Sequence, residues 1–268
     1  MTSKATVITV SYNSARDLAA HWGGAADLGV EWIVVDNASS DDSAAVAEAL
    51  GARVIRLPRN LGFSAANNVG AALATSDFLI FANPDVEATA EGVTNLVAMG
   101  RATGGLIGPQ LMNPDGTLQE NGRTSPFLYR KAQHFLGHEG SASNYELRAA
   151  ADETWRVSWL TGAVIGMKRE VFDDLGGWDS GFFVYHEDSD LCIRARLRGY
   201  PVLLTGTTRW VHSWGRATRS WSWNSWKLEL RSAARFYRKY PALLLHPSLV
   251  RLRRGIRYGS DDVARYQL

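Results

Sequence analysis

Three observations predict an α/β fold with a mostly parallel, Rossmann-like sheet flanked by helices. Apolar, β-branched segments alternate with helix-like ones, each apolar segment stops at a polar turn, and no internal repeat or low-complexity linker interrupts the alternation. Residues 6–10 (TVITV) have the β-branched character of a buried parallel strand. A polar turn at 11–14 leads into a helix from Ala15. A second strand at 32–35 ends at Asp36-Asn37, and residues 39–42 (SSDD) offer helix caps before the Ala-rich stretch 44–50. A third strand is expected at 53–57, a helix at 63–74 and a fourth strand at 78–81.

The second half is less regular. A strand is expected at 106–111, then a hairpin and a long loop over 113–155, where Pro, Gly, Asn and Ser occur without periodicity. The apolar run 157–167 reads as one strand, 169–175 as a short helix, 187–197 as a helix, 200–204 as a short strand, and 221–240 as a helix with basic residues on one side.

Composition excludes several classes. The 268 residues carry 29 Lys and Arg against 27 Asp and Glu, a net charge of +2, so the balance does not favour a nucleic-acid partner. A single cysteine, Cys192, allows neither an internal disulfide nor a cysteine zinc site, and a reducing, cytoplasmic setting is expected. No apolar run approaches the length of a membrane span, so any membrane contact is expected to be peripheral, on the inner face of the cell membrane. The oligomeric state is left open.

In open α/β sheets, ligands bind at the carboxyl ends of the strands. Those ends carry Ser11-Tyr12-Asn13, Asp36-Asn37, Arg59-Asn60 and Asn83-Pro84-Asp85. The glycine fingerprints of dinucleotide and P-loop sites are missing: the first glycine is Gly23, and no G-x-x-x-x-G-K-[ST] occurs. A diphosphate without a glycine cradle needs a divalent metal held by carboxylates, together with basic side chains. Asp85, ending an apolar strand, is placed to reach such a metal. A second cluster, Glu187-Asp188-Ser189-Asp190, opens a helix after the aromatic run 182–185; a partly buried carboxylate beside others has a raised pKa and can act as a general base. A third feature, 211–215 (VHSWG) with Arg209, Arg216 and Arg219, reads as a positive loop able to close over a diphosphate.

Taken together, VITVSYNS at 7–14, VVDNASSD at 34–41, NLGFSAANNVG at 60–70 and NPDV at 83–86 closely resemble the inverting family-2 glycosyltransferases of GT-A fold. LTGA at 160–163, GGWD at 176–179, 182–190 and VH at 211–212 follow in that family's order, so the resemblance covers roughly residues 5–240. Within the family the chain looks most like bacterial rhamnosyltransferases. The resemblance implies one GT-A domain over 1–240, with a nucleotide half at about 1–110 and an acceptor half at about 111–220, followed by a basic tail at 241–268. It also implies roles. Ser11, Tyr12 and Asn13 would line the base and ribose pocket, Asp36 would bond the pyrimidine edge, and Asn60, Gly62 and Asn67 would wall the base and diphosphate. Asp85 would bind Mg²⁺ or Mn²⁺ as the last residue of the family's D-x-D, whose first aspartate is Asn83 here, and His212 would complete the metal site. Thr161, Gly162, Ala163, Trp178 and Asp179 would face donor sugar and acceptor, Asp188 beside Glu187 would be the base, and Arg216 and Arg219 would meet the diphosphate.

The expected donor is a dTDP- or UDP-linked sugar, best L-rhamnose from dTDP-rhamnose, and the acceptor a hydroxyl of a glycan, a lipid-linked glycan or a small molecule. The competing expectations are a nucleotide-sugar binding or scaffold protein on the same fold, favoured by Asn83, and a nucleotidyltransferase. The latter would open with a Gly-rich basic loop, which 11–14 is not. Between Lys227 and Arg257 lie nine Lys and Arg and one acidic residue, Glu229, just after Trp221, Trp223 and Trp226. That pattern suits the headgroup layer of an anionic membrane or, equally, a helix packed with its tryptophans inward.

Overall fold

The computed structural model describes residues 5–124, 146–213, 223–244 and 264–265. The chain forms β1 (Thr6–Ser11), α1 (Ala15–His21), β2 (Glu31–Asp36), α2 (Ser43–Ala49), β3 (Arg53–Arg56), α3 (Phe63–Leu73), β4 (Phe78–Ala82), β5 (Val86–Glu87), α4 (Ala90–Thr103) and β6 (Leu106–Met112). It continues with β7 (Gly122–Arg123), β8 (Glu146–Leu147), β9 (Thr154–Arg156), β10 (Trp159–Leu160), β11 (Val164–Lys168), α5 (Arg169–Asp174), α6 (Glu187–Leu197), β12 (Val202–His212), α7 (Trp223–Lys239) and β13 (Ala264–Arg265).

The main sheet runs β13-β9-β12-β6-β11-β4-β1-β2-β3, with β5 paired to β12. Strands β3, β2, β1 and β4 are parallel, as the alternation of strand and helix requires. The chain winds outward from β1 through β2 to β3, then crosses back through α3 to place β4 on the other side of β1. The carboxyl ends of β1 and β4 therefore form a switch point, where a crevice opens in this class of sheet. Beyond β4 the sheet becomes mixed, because β11 inserts antiparallel between β4 and β6. A second, three-stranded sheet of order β10-β7-β8 stands beside it.

The core forms on both faces of the main sheet. Trp22, Trp32, Val34 and Leu96 belong to one apolar cluster, and Phe81, Ile165, Phe172 and Trp178 to another. Strands β1 and β4 are buried along their whole length, which is why their sequences are continuous apolar runs rather than alternating ones.

Three sequence expectations need correction. The run 157–167 is not one strand but two, β10 and β11, which belong to different sheets and are separated by Thr161-Gly162-Ala163. The short strand expected at 200–204 is the eleven-residue β12, whose register shifts between Thr205 and Arg209 and whose end carries His212 into the crevice. The fourteen-residue α4 fills a stretch between the strands at 78–81 and 106–111 to which no element was assigned. Gly100 is needed for packing: a Cβ there would lie 2.5 Å from the Phe78 ring.

Candidate functional site

A cavity of about 360 Å³ opens at the carboxyl ends of β4, β6 and β12. Asn83, Asp85 and His212 line it from the main sheet, Gln119, Glu120 and Arg123 from the segment leading into β7, Thr161, Gly162 and Ala163 from the turn between the two sheets, and Tyr185, Glu187 and Asp188 from the start of α6. Residues more than a hundred positions apart thus share one cleft.

On one side stand Asp85 and His212. The loop after β4 is fixed by Trp22, whose indole N–H donates to Pro84 O at 3.0 Å, and by Asn83 N, which donates to Ala163 O at 2.9 Å. His212 Nε2 lies 3.5 Å from Asp85 Oδ1. Behind it, Gln119 commits its amide N–H₂ to His212 O (2.5 Å) and Asn113 Oδ1 (2.7 Å), which turns its Oε1 to His212 Nδ1 at 2.8 Å. Nδ1 therefore carries a proton, and Nε2 is the ring nitrogen that faces Asp85. A carboxylate oxygen and an imidazole lone pair at this spacing fit a shared divalent cation that takes its remaining ligands from outside the chain. Among the described residues no group of three or more His, Cys, Asp or Glu side chains is placed to bind a metal. Asp17 on α1 also faces this side; its pKa is raised by burial and by the charge of Asp85.

On the other side stand Glu187 and Asp188. The preceding residues, Tyr185 and His186, both have left-handed backbone, with φ of 70° and 68°. For non-glycine residues this costs about 1–3 kcal/mol each and persists only where the surroundings enforce it. Asp188 Oδ2 accepts from Gly162 N at 3.0 Å and Oδ1 from Ser189 N at 2.6 Å, so its carboxylate is fixed from both ends. Glu187 is almost wholly buried, and its Oε2 finds no hydrogen-bond partner among the described residues. Burial, with the neighbouring charges of Asp188 and Asp190, pushes its pKa up to about 8. The adjacent carboxyls thus differ: Glu187 is held neutral near pH 7, whereas Asp188 accepts two backbone N–H bonds.

The residues expected to hold a base and ribose lie along the sheet edge beside this cavity. Ser11 and Asp36 pair in register on β1 and β2. Both are buried, and Ser11 Oγ and Asp36 Oδ1 have no hydrogen-bond partner among the described residues. Two adjacent orphaned polar atoms at a strand end point to a ligand that would satisfy them. The loops above are cross-tied: Asn13 Oδ1 accepts from Ser40 N at 2.7 Å, and Ser14 N donates to Ser43 Oγ at 2.8 Å. Tyr12 is half exposed, leaving its ring face open. Asn60 Oδ1 accepts from Asn37 Nδ2 and Gly62 N, both at 2.9 Å, which shapes the turn into α3. Gly62 has φ 84°, and a Cβ there would lie 2.5 Å from Phe183 O.

Three expected site residues lie elsewhere. Asn67 is buried and bonds Phe63 O in its own helix. Trp178 is packed edge-on against Phe63 and Phe81, its backbone tied to the Asn68 side chain. Asp179 pairs with Arg235 at 2.9 Å and Lys239 at 2.8 Å; burial acts to raise its pKa, but these cations prevail and hold it down at about 2. Arg216 and Arg219, Trp214 and Trp221, the loop at 125–145 and most of the basic tail, 245–263 with Arg251 and Arg257, fall outside the described residues. Gln119, Asn68, Glu120 and Arg123 were not anticipated. Their only signal is polarity inside an aperiodic stretch or a helix, which reveals neither the place of Glu120 and Arg123 in the cleft nor the distant partners of Gln119 and Asn68, His212 and Trp178.

The sequence profile of "Glycosyl transferase family 2" matches residues 6–176. The chain belongs to this glycosyltransferase family. Among its curated relatives is N-acetylglucosaminyl-diphospho-decaprenol L-rhamnosyltransferase of Mycobacterium tuberculosis, 27% identical over 241 residues, 81% of this chain and 78% of that protein. O-antigen biosynthesis protein RfbC of Myxococcus xanthus is 30% identical over 67% of this chain, which corresponds to 14% of that much longer protein. Among solved structures, S. aureus TarS 1-349 in complex with UDP-GlcNAc matches 96% of this chain and 68% of its own at TM-score 0.63 and 16% identity. The mannosyltransferase PcManGT from Pyrobaculum calidifontis, in complex with GDP-Man and Mn²⁺, matches 90% of this chain at TM-score 0.60 and 17% identity; this chain spans 65% of its length. These likenesses show the GT-A glycosyltransferase fold. Among the described residues, no helix of this family member is long and apolar enough to cross a membrane.

Proposed function

We propose that this glycosyltransferase moves L-rhamnose from a dTDP-linked donor, with a UDP-linked hexose as the other candidate, to a hydroxyl of a lipid-linked glycan, with inversion. One observation carries the reading: a fixed carboxylate, Asp188, lines the same cleft as the facing pair Asp85 and His212. The sugar and the acceptor class rest on the rhamnosyltransferase relative that spans most of the chain.

In this reading Ser11, Asp36 and Tyr12 hold the base, and the diphosphate lies at Asp85. Asp85 and His212 would hold Mg²⁺ or Mn²⁺, with Asn83 supplying a neutral oxygen nearby. The cation, when bound, offsets the negative charge that grows on the leaving diphosphate. Asp188 removes the proton from the acceptor hydroxyl as its oxygen bonds to the anomeric carbon. The bond to the diphosphate breaks on the opposite face, and its electron pair leaves with the phosphate. Glu187, neutral beside it, keeps a second negative charge away from Asp188. One attacking oxygen and one departure give a single displacement, hence inversion.

Exposed Trp226 and Leu230 on α7, beside exposed Lys227, Arg231 and Arg238, support peripheral contact with an anionic membrane where a lipid-linked acceptor resides. The test is a transfer assay with a panel of dTDP- and UDP-sugars, a lipid-diphosphate-linked acceptor and Mn²⁺, with the product's anomeric configuration read by NMR. The expected product is inverted and formed fastest from dTDP-rhamnose. Donor binding with no transfer to any acceptor would favour the binding or scaffold role, and a retained configuration would overturn the single displacement.

A further inference from the structure

Helix α7 grips the turn that carries Glu187 and Asp188 at three points. Ser232 Oγ donates to Val184 O at 2.6 Å. Phe236 stacks on the buried His186 ring, centroids 4.9 Å apart and planes 28° apart, and Tyr237 meets the same ring at 6.2 Å. Tyr240, just after the helix, donates from its hydroxyl to Asp190 Oδ1 at 2.7 Å, where Lys239 Nζ also pairs at 2.5 Å. Residues 232, 236 and 240 recur every four positions, so a single face of the helix makes all three contacts. Between Val184 and Asp190 lie the left-handed Tyr185 and His186, and Glu187 and Asp188 follow as the first residues of α6. Neither residue favours that backbone region, so something outside the turn must hold it there. The groups on α7 that touch the turn are placed to do so. Relaxation of His186 to an ordinary φ would swing the start of α6 and move both carboxyls within the cleft.

We propose that α7 is a positioning element for the transfer reaction: by stacking Phe236 on His186 and anchoring Asp190 through Tyr240, it holds the strained turn that presents Asp188 to the cleft. The inference rests on the reading of Asp188 as the base, but it assigns a function to residues that touch neither substrate. His186 and Phe236 are positioning residues, and the base would be set by a helix forty residues further along the chain.

A double-mutant cycle on His186 and Phe236 tests this, with kcat, donor KM and binding of the nucleoside diphosphate measured for each variant. Glycine adopts the left-handed region freely, whereas alanine does not. His186→Ala and Phe236→Leu are expected to lower kcat about tenfold with donor KM within twofold of wild type. His186→Gly is expected to recover most of the rate lost in His186→Ala, and Phe236→Leu to cost little further in the His186→Gly background. Tyr240→Phe, which removes one hydroxyl and leaves the ring stack, is expected to lower kcat severalfold, and it serves if the Phe236 variant does not fold. Wild-type kcat in both His186→Ala and Tyr240→Phe would overturn the proposal, as would a fall in kcat matched by an equal loss of nucleotide affinity. Asp188→Asn run in parallel separates the two readings: if that variant keeps its rate, the base assignment fails, while a selective kcat loss on His186→Ala would still place the turn in the reaction.

Discussion

The two sides of the cleft are built by opposite means. On the side of β1, β2 and β4, the candidate ligand groups stand at the ends of parallel strands, and short loops tied to one another by side-chain-to-backbone bonds, such as Ser40 N to Asn13 Oδ1, hold them. Many of these ties join loops that follow adjacent parallel strands, as Asn13 and Ser40 do after β1 and β2. On the side of Thr161–Ala163 and α6, the groups sit on short antiparallel strands and a strained turn, and partners distant in sequence hold them: Gly162 for Asp188 and Phe236 for His186. The first arrangement suits a ligand part that must be bound the same way each time. The second would place the proposed base where small displacements alter chemistry more than binding.

The largest expected effect falls on the second side. Asp188→Asn is expected to lower kcat by about 10²–10⁴-fold, the usual worth of a positioned general base, with donor binding kept. Initial rates at saturating donor check this, and a wild-type rate would break the comparison by moving the base elsewhere. Gln119→Leu is expected next: without an acceptor for Nδ1–H, His212 loses its fixed tautomer, and Mn²⁺ affinity should fall about 10–100-fold, as titration of metal against nucleotide binding would reveal. An unchanged affinity would remove His212 from the metal account.

Gly62→Ala probes the join between the sides, where α3 begins against Phe183 O. Its left-handed φ and the 2.5 Å approach predict a loss of about 1–3 kcal/mol in urea unfolding. The last effect concerns Glu187 and is confined to the pH dependence of stability. Its pKa is raised on folding, so the folded chain binds more protons than the unfolded one between roughly pH 4.5 and 8. Stability from this group is full at low pH and is lost as pH rises through that window, by at most about 1.4 kcal/mol per pH unit. Glu187→Gln should flatten this slope in denaturation curves at several pH values while keeping most of the activity near pH 7. A dead but folded Gln variant would show that the charged form is required.

The contrast between the sides also explains what the sequence revealed. Strands β2 and β4 and the polar ends Ser11, Asp36 and Asp85 were legible, because a buried parallel strand is a largely apolar run and its end is marked by polar residues, and the edge strand β3 was legible from its central Val-Ile pair. Asp188 was legible as one of three carboxyls in a helix's first turn, but not the difference between it and Glu187, since burial is set by residues elsewhere in the chain. The split of 157–167 into two strands was hidden because Thr161-Gly162-Ala163 carries no turn signal stronger than one glycine. Trp178 and Asp179 looked like ligand contacts, yet one packs in the core and the other is clamped by α7; an aromatic residue followed by an acid reads alike in either place. The cation–carboxylate network of α7 depends on contacts between residues distant in sequence, Arg235 and Lys239 with Asp179 and Lys239 with Asp190, which periodicity does not encode.

In the proposed reaction the sides divide the labour, Asp85 and His212 acting on the donor's diphosphate and Asp188 on the acceptor. Calorimetric titration of a nucleoside diphosphate with Mn²⁺ into Asp85→Ala and Asp188→Asn tests this most directly. Asp85→Ala is expected to lose most of its nucleotide affinity, and removing Mn²⁺ with EDTA to reproduce this loss in the unaltered chain, whereas Asp188→Asn is expected to bind within about twofold of the unaltered chain. Equal losses in the two variants, or a loss confined to Asp188→Asn, would contradict this division.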